Sequence, residues 1–292
     1  MTSSAVFGAT GRLGRRLVRE LAERGHYVVA VGRQEAKLRE LVPTANETRS
    51  MDLLVDGPLV ESVCSQVDYV FACVGASVLP GRGHGWRGYE AVDSRANRSL
   101  ISAARATRVR GFVYVAVAAH EQLGDLAYVE AHERVVRDLR DSGLPYGVIR
   151  PTGFYGALAL LVDMAAKGPL PLVGDGSART NPIHEADVAA SCADAILDLP
   201  IEREIGGPEV LSRRDIAAQA FAAVGKTPRY RKIPPVVLLG MAGALRPFHP
   251  RLSQLMAFVG AVSTRDVIAP GVGARKLLDY FEGVASGADG TG

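Results

Sequence analysis

Glycines at 8, 11 and 14, in the run GATGRLG at 8–14, follow the apolar triplet 5–7 and open an amphipathic stretch. Glycines so spaced between a strand and a helix form a phosphate cradle. Gly8 permits the tight turn, Gly11 lets backbone approach a pyrophosphate seated on the helix N-terminus, and Gly14 lets the helix pack closely. A dinucleotide is the expected ligand, with Thr10, Arg12 and Leu13 of the same loop beside it. The end of the next strand selects the nucleotide. A carboxylate there bonds the ribose 2′-hydroxyl of NAD, but the residues are Val31-Gly32-Arg33. A guanidinium suits a 2′-phosphate, so Arg33, with Lys37 and Arg12 in support, favours NADP(H). Asp52 and Leu53 fall where they would lie beside the adenine, and Asp52 is also placed to cap a helix.

These residues need a scaffold. Apolar runs at 5–7, 27–31, 48–51, 68–74, 112–117 and 146–149 alternate with helical patterns at 11–24, 34–41, 59–66, 90–107 and 128–142. In the first helix Leu13, Leu17, Val18 and Leu21 share a face. Near-continuous apolar strands separated by helices predict an α/β fold, a doubly wound parallel Rossmann sheet covered on both faces. Residues 76–89 read as a long loop in which His84 and Trp86 suggest a substrate lid. Beyond Pro151 the pattern loosens. Gly168-Pro169 and Gly174-Asp175-Gly176 mark turns. Residues 183–197 read as an apolar helix whose early acids, Glu185 and Asp187 beside His184, act as caps. Strand, turn and helix are expected over 210–225, and apolar helices from Pro234-Pro235. The organisation expected is a dinucleotide domain over 1–150, a smaller α+β substrate lobe over 151–284 interleaved with it, and a disordered tail over 285–292.

Bulk properties exclude several classes. The 292 residues include 34 basic and 31 acidic side chains, a net charge of +3 that argues for neither nucleic acid nor an anionic surface as partner. Cys64, Cys73 and Cys192 form no close pair and read as packed free thiols. No metal is expected, since the histidines lack ligand spacing and no Cys-x-x-Cys occurs. A Gly-x-Ser-x-Gly elbow is also missing. The apolar run 233–245 is too short to span a bilayer, and Arg246, His249 and Arg251 separate it from 252–262. Both runs read as buried or groove-lining helices, stable membrane insertion is not expected, and a peripheral contact is left open. No leader is read at the N-terminus, and a cytoplasmic protein is expected. The oligomeric state, monomer or homodimer, is left open.

The chain resembles the atypical short-chain dehydrogenase/reductases, specifically their NmrA-like, NAD(P)H-binding branch. The matching segments are GATGRLG at 8–14, VDYVFACVG at 67–75, VDSRAN at 92–97, GFVYVAV at 111–117, GLPYGVIRPTGFYG at 143–156, NPIHEADVA at 181–189 and GGPEVLSRRDIAAQAFAAVGK at 206–226. The resemblance implies that Val74 and Gly75 pass near the cofactor ribose, with Ala116 on the neighbouring strand, and that Asn97 shapes the site. It implies that Pro151, Thr152, Gly153 and Phe154 meet the nicotinamide through their backbone. The C-terminal lobe would then close over the nicotinamide and form the pocket for a small-molecule substrate.

The catalytic pattern departs from that family. Its usual machinery is Tyr-x-x-x-Lys on one helix face, with a Ser or Thr after the strand at 112–117. Here Tyr128 is present, His132 replaces the lysine, and Ala118 stands near the missing serine. A histidine, largely uncharged at neutral pH, would support the tyrosine less, although it could still bond the ribose. Three readings stay open: Tyr128 is a weakly supported acid; the acceptor is an activated alkene, quinone or iminium that needs no strong acid; or the cofactor is bound without turnover. His120 could replace the serine as donor, and Tyr155 could line the pocket. The expected function is an NADP(H)-dependent oxidoreductase acting on a small, fairly apolar carbonyl, enone or quinone-like substrate between the lobes. The alternatives are a non-catalytic NADP(H) sensor and a non-redox isomerase or cyclase on the same fold.

Overall fold

The computed structural model describes residues 1–75 and 94–288. The expected lid residues His84 and Trp86, and the end of the expected tail, lie outside them. The first half alternates as the apolar runs require: β1 (Ser3–Phe7), α1 (Arg12–Glu23), β2 (Tyr27–Gly32), α2 (Glu35–Arg39), β3 (Glu47–Ser50), α3 (Gly57–Cys64), β4 (Tyr69–Ala72), α4 (Ala96–Thr107), β5 (Gly111–Val115), α5 (His120–Leu123), α6 (Ala127–Asp141) and β6 (Tyr146–Pro151). The second half gives α7 (Tyr155–Leu158), α8 (Leu160–Lys167), β7 (Leu170–Val173), β8 (Arg179–Thr180), α9 (Glu185–Ala195), β9 (Ile201–Ile205), β10 (Leu211–Ser212), α10 (Arg213–Ala223), β11 (Tyr230–Ile233), α11 (Pro235–Leu245), α12 (Pro250–Thr264) and α13 (Leu277–Ala285).

Seven parallel strands form the central sheet in the order β3-β2-β1-β4-β5-β6-β9. The order reverses between β1 and β4, and in such sheets ligands bind beyond the carboxyl ends of the strands at that reversal. Strand side chains alternate between two cores, as the period of two demands. Ala5, Phe7, Val70, Ala72, Phe112 and Tyr114 pack under α3, α4 and α6 with Val60, Leu100, Val135 and Leu139. Val6, Phe71 and Val113 face Leu17, Val18 and Leu21 of α1 and Val188 and Cys192 of α9. Each of the large side chains buried there contributes about 1.5–3 kcal/mol.

The later segments do not form a sheet of comparable size. β7 pairs in parallel with β11, and β8 with β10 antiparallel. A third core joins Tyr155, Leu170, Phe221, Leu277 and Phe281 from α7, β7, α10 and α13. A fourth brings Ala257 and Phe258 of α12 against Tyr128, Leu123 and Val129. The apolar runs near the C-terminus therefore divide: α12 lies partly buried over the first domain, while most of α11 is exposed, so of the two readings, buried or groove-lining, burial does not hold for α11. No helix among the described residues is long and apolar enough to cross a membrane.

Candidate functional site

The glycine loop follows β1 directly. Gly8 has φ +84, and a Cβ there would lie 2.6 Å from the Cys73 carbonyl oxygen at the end of β4. A Cβ on Gly14 would run into the Gly8 carbonyl, which backbone cannot avoid. The outer side of Gly11 is open, its nearest neighbour being Gly8 oxygen at 3.3 Å from a built Cβ. Gly11 caps α1 without a side-chain bond, and no acid stands in the first turn. The first-turn N–H groups thus face a cradle shaped for an anion, and the residues present fit a dinucleotide pyrophosphate.

At the end of β2, a side chain on Gly32 would press on Thr10 at 3.0 Å, so no carboxylate could stand there without moving it. Arg33 and Lys37 are both exposed. Their basic neighbours Arg15, Arg39 and Arg49 pair with Glu40, Glu35 and Glu47; among the described residues no ion pair is recorded for Arg33 or Lys37. Arg12 turns elsewhere. Its Nη1 donates to the Tyr280 hydroxyl of α13 at 3.1 Å, and its side chain runs across Gly156 beside Glu185. As placed, the guanidinium joins the two halves of the chain instead of supporting Arg33.

Beyond β3 the capping assignment shifts by four residues. Asp56, not Asp52, occupies the N-cap of α3. Asp52 accepts from Leu54 N at 3.1 Å and gives its own N–H to Asp56 at 2.7 Å, a local Asx turn. Leu53 is buried. Past β4, the Val74 carbonyl accepts from Asn97 Nδ2 of α4 at 3.2 Å, which fixes the chain before Gly75. Ala116 donates to the Ile149 carbonyl at 2.8 Å and extends the β5–β6 pairing. In the turn after β6, Thr152 N–H is committed to Ile205 and Gly153 oxygen to Ile183 N–H, while the Pro151 carbonyl accepts from Ala118. The Phe154 backbone pairs beside Ile183.

Tyr128 and His132 share a face of α6 and meet edge-on at 4.7 Å between ring centroids. The Phe258 ring of α12 covers Tyr128 at 5.6 Å, and Tyr128 and Val74 both pack against Ala131. His132 is 4% exposed. Its Nδ1 is 2.5 Å from the hydroxyl of Tyr114 on β5. Burial, with Arg150 nearby, lowers its pKa to about 3, so the ring is neutral. One ring nitrogen is thus committed to the sheet, and no positive charge stands where the family's lysine would.

After β5 the chain turns through Ala119 at φ +55, a conformation that costs a non-glycine residue on the order of 1 kcal/mol. Ala119 N–H donates to Glu204 of β9 at 2.8 Å, and His120 Nδ1 lies 3.6 Å from the same carboxylate oxygen. His120 therefore begins α5 and does not sit in a loop.

Other expectations change. Tyr155 is buried and its hydroxyl donates to the Arg275 carbonyl at 2.7 Å, so it packs the third core. His184 supplies the cap of α9, accepting from Ala186 N. The acids stand in that helix's first turn but reach across the molecule, Glu185 to Gly156 N–H and Asp187 to the Ala274 and Arg275 amides. All three cysteines are free, and burial raises their thiol pKa values, that of Cys73 to about 12. Among the described residues no His, Cys, Asp or Glu cluster could hold a metal.

Tyr114, Glu204 and Arg150 were missed as contributors. Alternation along 111–115 was the signal for Tyr114, since it puts that residue on the α6 side of the sheet with Phe112. Arg150 is a charge inside an apolar strand. It is 2% exposed and is held by Glu133, by Glu202 at 3.5 Å and by the Val117 carbonyl at 3.4 Å.

Residues 8–199 match the profile of the NAD(P)H-binding family. The chain belongs to this family. It is also 34% identical over 268 residues to a divinyl chlorophyllide a 8-vinyl-reductase of Oryza sativa subsp. indica, covering 80% of this chain and 61% of that protein. The corresponding Zea mays protein is 31% identical, covering 80% of this chain and 62% of the relative. The chain thus spans about three fifths of those relatives. Among solved structures it is similar in fold to the Escherichia coli NADPH-dependent quinone oxidoreductase QOR2 bound to NADPH (TM-score 0.71, 20% identity, 95% of this chain and 98% of that one). The Citrobacter sp. triphenylmethane reductase bound to NADP(H) is also similar (TM-score 0.73, 16% identity, 98% and 99%). As a member of an NAD(P)H-binding family, the chain has its glycine loop at the reversal of the sheet, where a dinucleotide belongs.

Proposed function

We propose that this protein is an NADP(H)-dependent reductase whose acceptor carbon is already electron-poor, a conjugated alkene or a quinone in a small, fairly apolar molecule. The observation that carries this reading is the His132–Tyr114 contact. A neutral histidine turned into the sheet gives Tyr128 no ammonium to lower its pKa, and Ala118 offers no second hydroxyl. An alkoxide formed from a simple ketone would therefore lack its usual proton donor. An acceptor that delocalises the incoming electron pair does not depend on one.

The residues have separable tasks. The glycine loop binds the pyrophosphate, and Arg33 with Lys37 takes the 2′-phosphate. Val74, Gly75 and Ala116 flank the ribose, and the turn from Pro151 to Phe154 orients the nicotinamide. Tyr128, under Phe258, is a wall that excludes water, while His120 stands beside Glu204 at the start of α5. Bound NADPH would supply the hydride. A vinyl reductase among the relatives and a quinone oxidoreductase among the fold neighbours agree with this chemistry.

The test is to follow NADPH absorbance with a panel of quinones, activated alkenes and simple ketones. Alkenes or quinones should be reduced and ketones left, and Tyr128→Phe should retain turnover within about tenfold, against the roughly 10²–10⁴-fold loss expected for a general acid. Ketone reduction alone would overturn the acceptor class. Tight NADPH binding with no oxidation by any acceptor would replace the reading with a sensor or a non-redox enzyme.

A further inference from the structure

Charge is distributed unevenly along this chain. Residues 216–265 contain no Asp or Glu but hold Lys226, Arg229, Arg231, Lys232, Arg246, Arg251 and Arg265. The remaining 242 residues carry 27 basic side chains against 31 acidic ones. The excess of positive charge therefore resides in one segment, and that segment contains the hairpin of α11 and α12.

α11 reads PVVLLGMAGAL, without a polar side chain. Only Leu238 and Ala242 are buried, and the Ala242 carbonyl is held by Ser253 of α12 at 2.7 Å. The outer face is bare: Val236 is 72% exposed, Leu239 57% and, just beyond the helix, Phe248 77%. Exposed cations stand at both ends, Arg231 and Lys232 before the helix and Arg246 after it. Among the described residues no ion pair is recorded for these three.

We infer that this face docks on the surface of a bilayer containing anionic lipid. An apolar stripe rimmed by cations is the pattern of a helix lying in the interface, with its apolar face among acyl chains and its arginine and lysine heads at the phosphates. The helix is about 16 Å long at 1.5 Å per residue, which suits lying in the plane and not crossing it. A second copy of the chain fits less well. A two-fold contact through this face would bring two like-charged rims together. The face lies one helix away from the candidate site, because the other flank of the hairpin covers Tyr128 through Phe258.

Flotation of the full chain with vesicles tests this. Vesicles of phosphatidylcholine with roughly a third phosphatidylglycerol should carry the protein, phosphatidylcholine alone should not, and salt should release it. Two variants separate the contributions: Leu239→Ser with Phe248→Ser, and Arg231→Glu with Lys232→Glu and Arg246→Glu. Each should lower partitioning roughly tenfold or more while dinucleotide binding, a check on folding, persists. Three results would overturn the inference: no flotation on anionic vesicles; equal flotation on neutral ones, unaffected by charge reversal; or a dimer by light scattering that Leu239→Ser with Phe248→Ser converts to monomer.

Discussion

At the scale of single residues, the distinction that matters is between a side chain aimed at the cofactor and one aimed at the core. Tyr114 and His132 satisfy each other in a buried setting. Replacing Tyr114 by Phe leaves a buried imidazole nitrogen without its partner and should cost about 1–3 kcal/mol, read as a lower urea midpoint at unchanged slope. Arg33→Ala removes the guanidinium from the end of β2. Affinity for NADPH should fall roughly 10–100-fold while NADH binding stays put; titrations that leave the NADPH-to-NADH ratio intact would remove Arg33 from the 2′-phosphate site. The glycine loop was legible because its task is written in backbone geometry, which three residue types suffice to encode. The orientation of His132 was not, because it depends on a hydroxyl from a strand 18 residues earlier.

At the scale of elements, β9 does the least expected work. Its sequence, Ile-Glu-Arg-Glu-Ile, alternates like a strand, yet three charges in five residues obscure it. In the folded chain those charges are used: Glu202 binds Arg140 at 2.7 Å and reaches Arg150, and Glu204 anchors the corner at Ala119. Arg150 thereby ties β6, β9 and α6 together. Arg150→Ala leaves Glu133 without its guanidinium, while Glu202 keeps Arg140, and should cost about 3–5 kcal/mol, measured by chemical denaturation. The early strands were legible because each is an apolar run between turn residues. β7 and β11 were not, since they are four residues each, pair across distant sequence, and include Pro171. α13 escaped notice as well; the patterning of Leu277, Tyr280 and Phe281 at helical spacing was its signal.

At the scale of the whole molecule, His132 links folding to acidity. Its folded pKa, about 3, lies below the unfolded value near 6.5. Between those values the unfolded chain binds the proton and the native chain does not, so stability rises with pH across that window and levels off above it. Unfolding midpoints should fall as pH drops below about 6.5, and His132→Asn should lose that share of the slope. An unchanged profile in the variant would show that other groups carry it.

The bond between Arg12 and Tyr280 has a consequence for synthesis. The two residues are 268 positions apart, so the ribosome makes the glycine loop 268 residues before its partner. At roughly 5–20 residues per second, the interval is about 13–54 s. During that time β1 to β6 can assemble, but the edge strand β9 comes late and α13 later still. A nascent chain therefore carries the phosphate cradle well before it carries the residue that holds Arg12 in place.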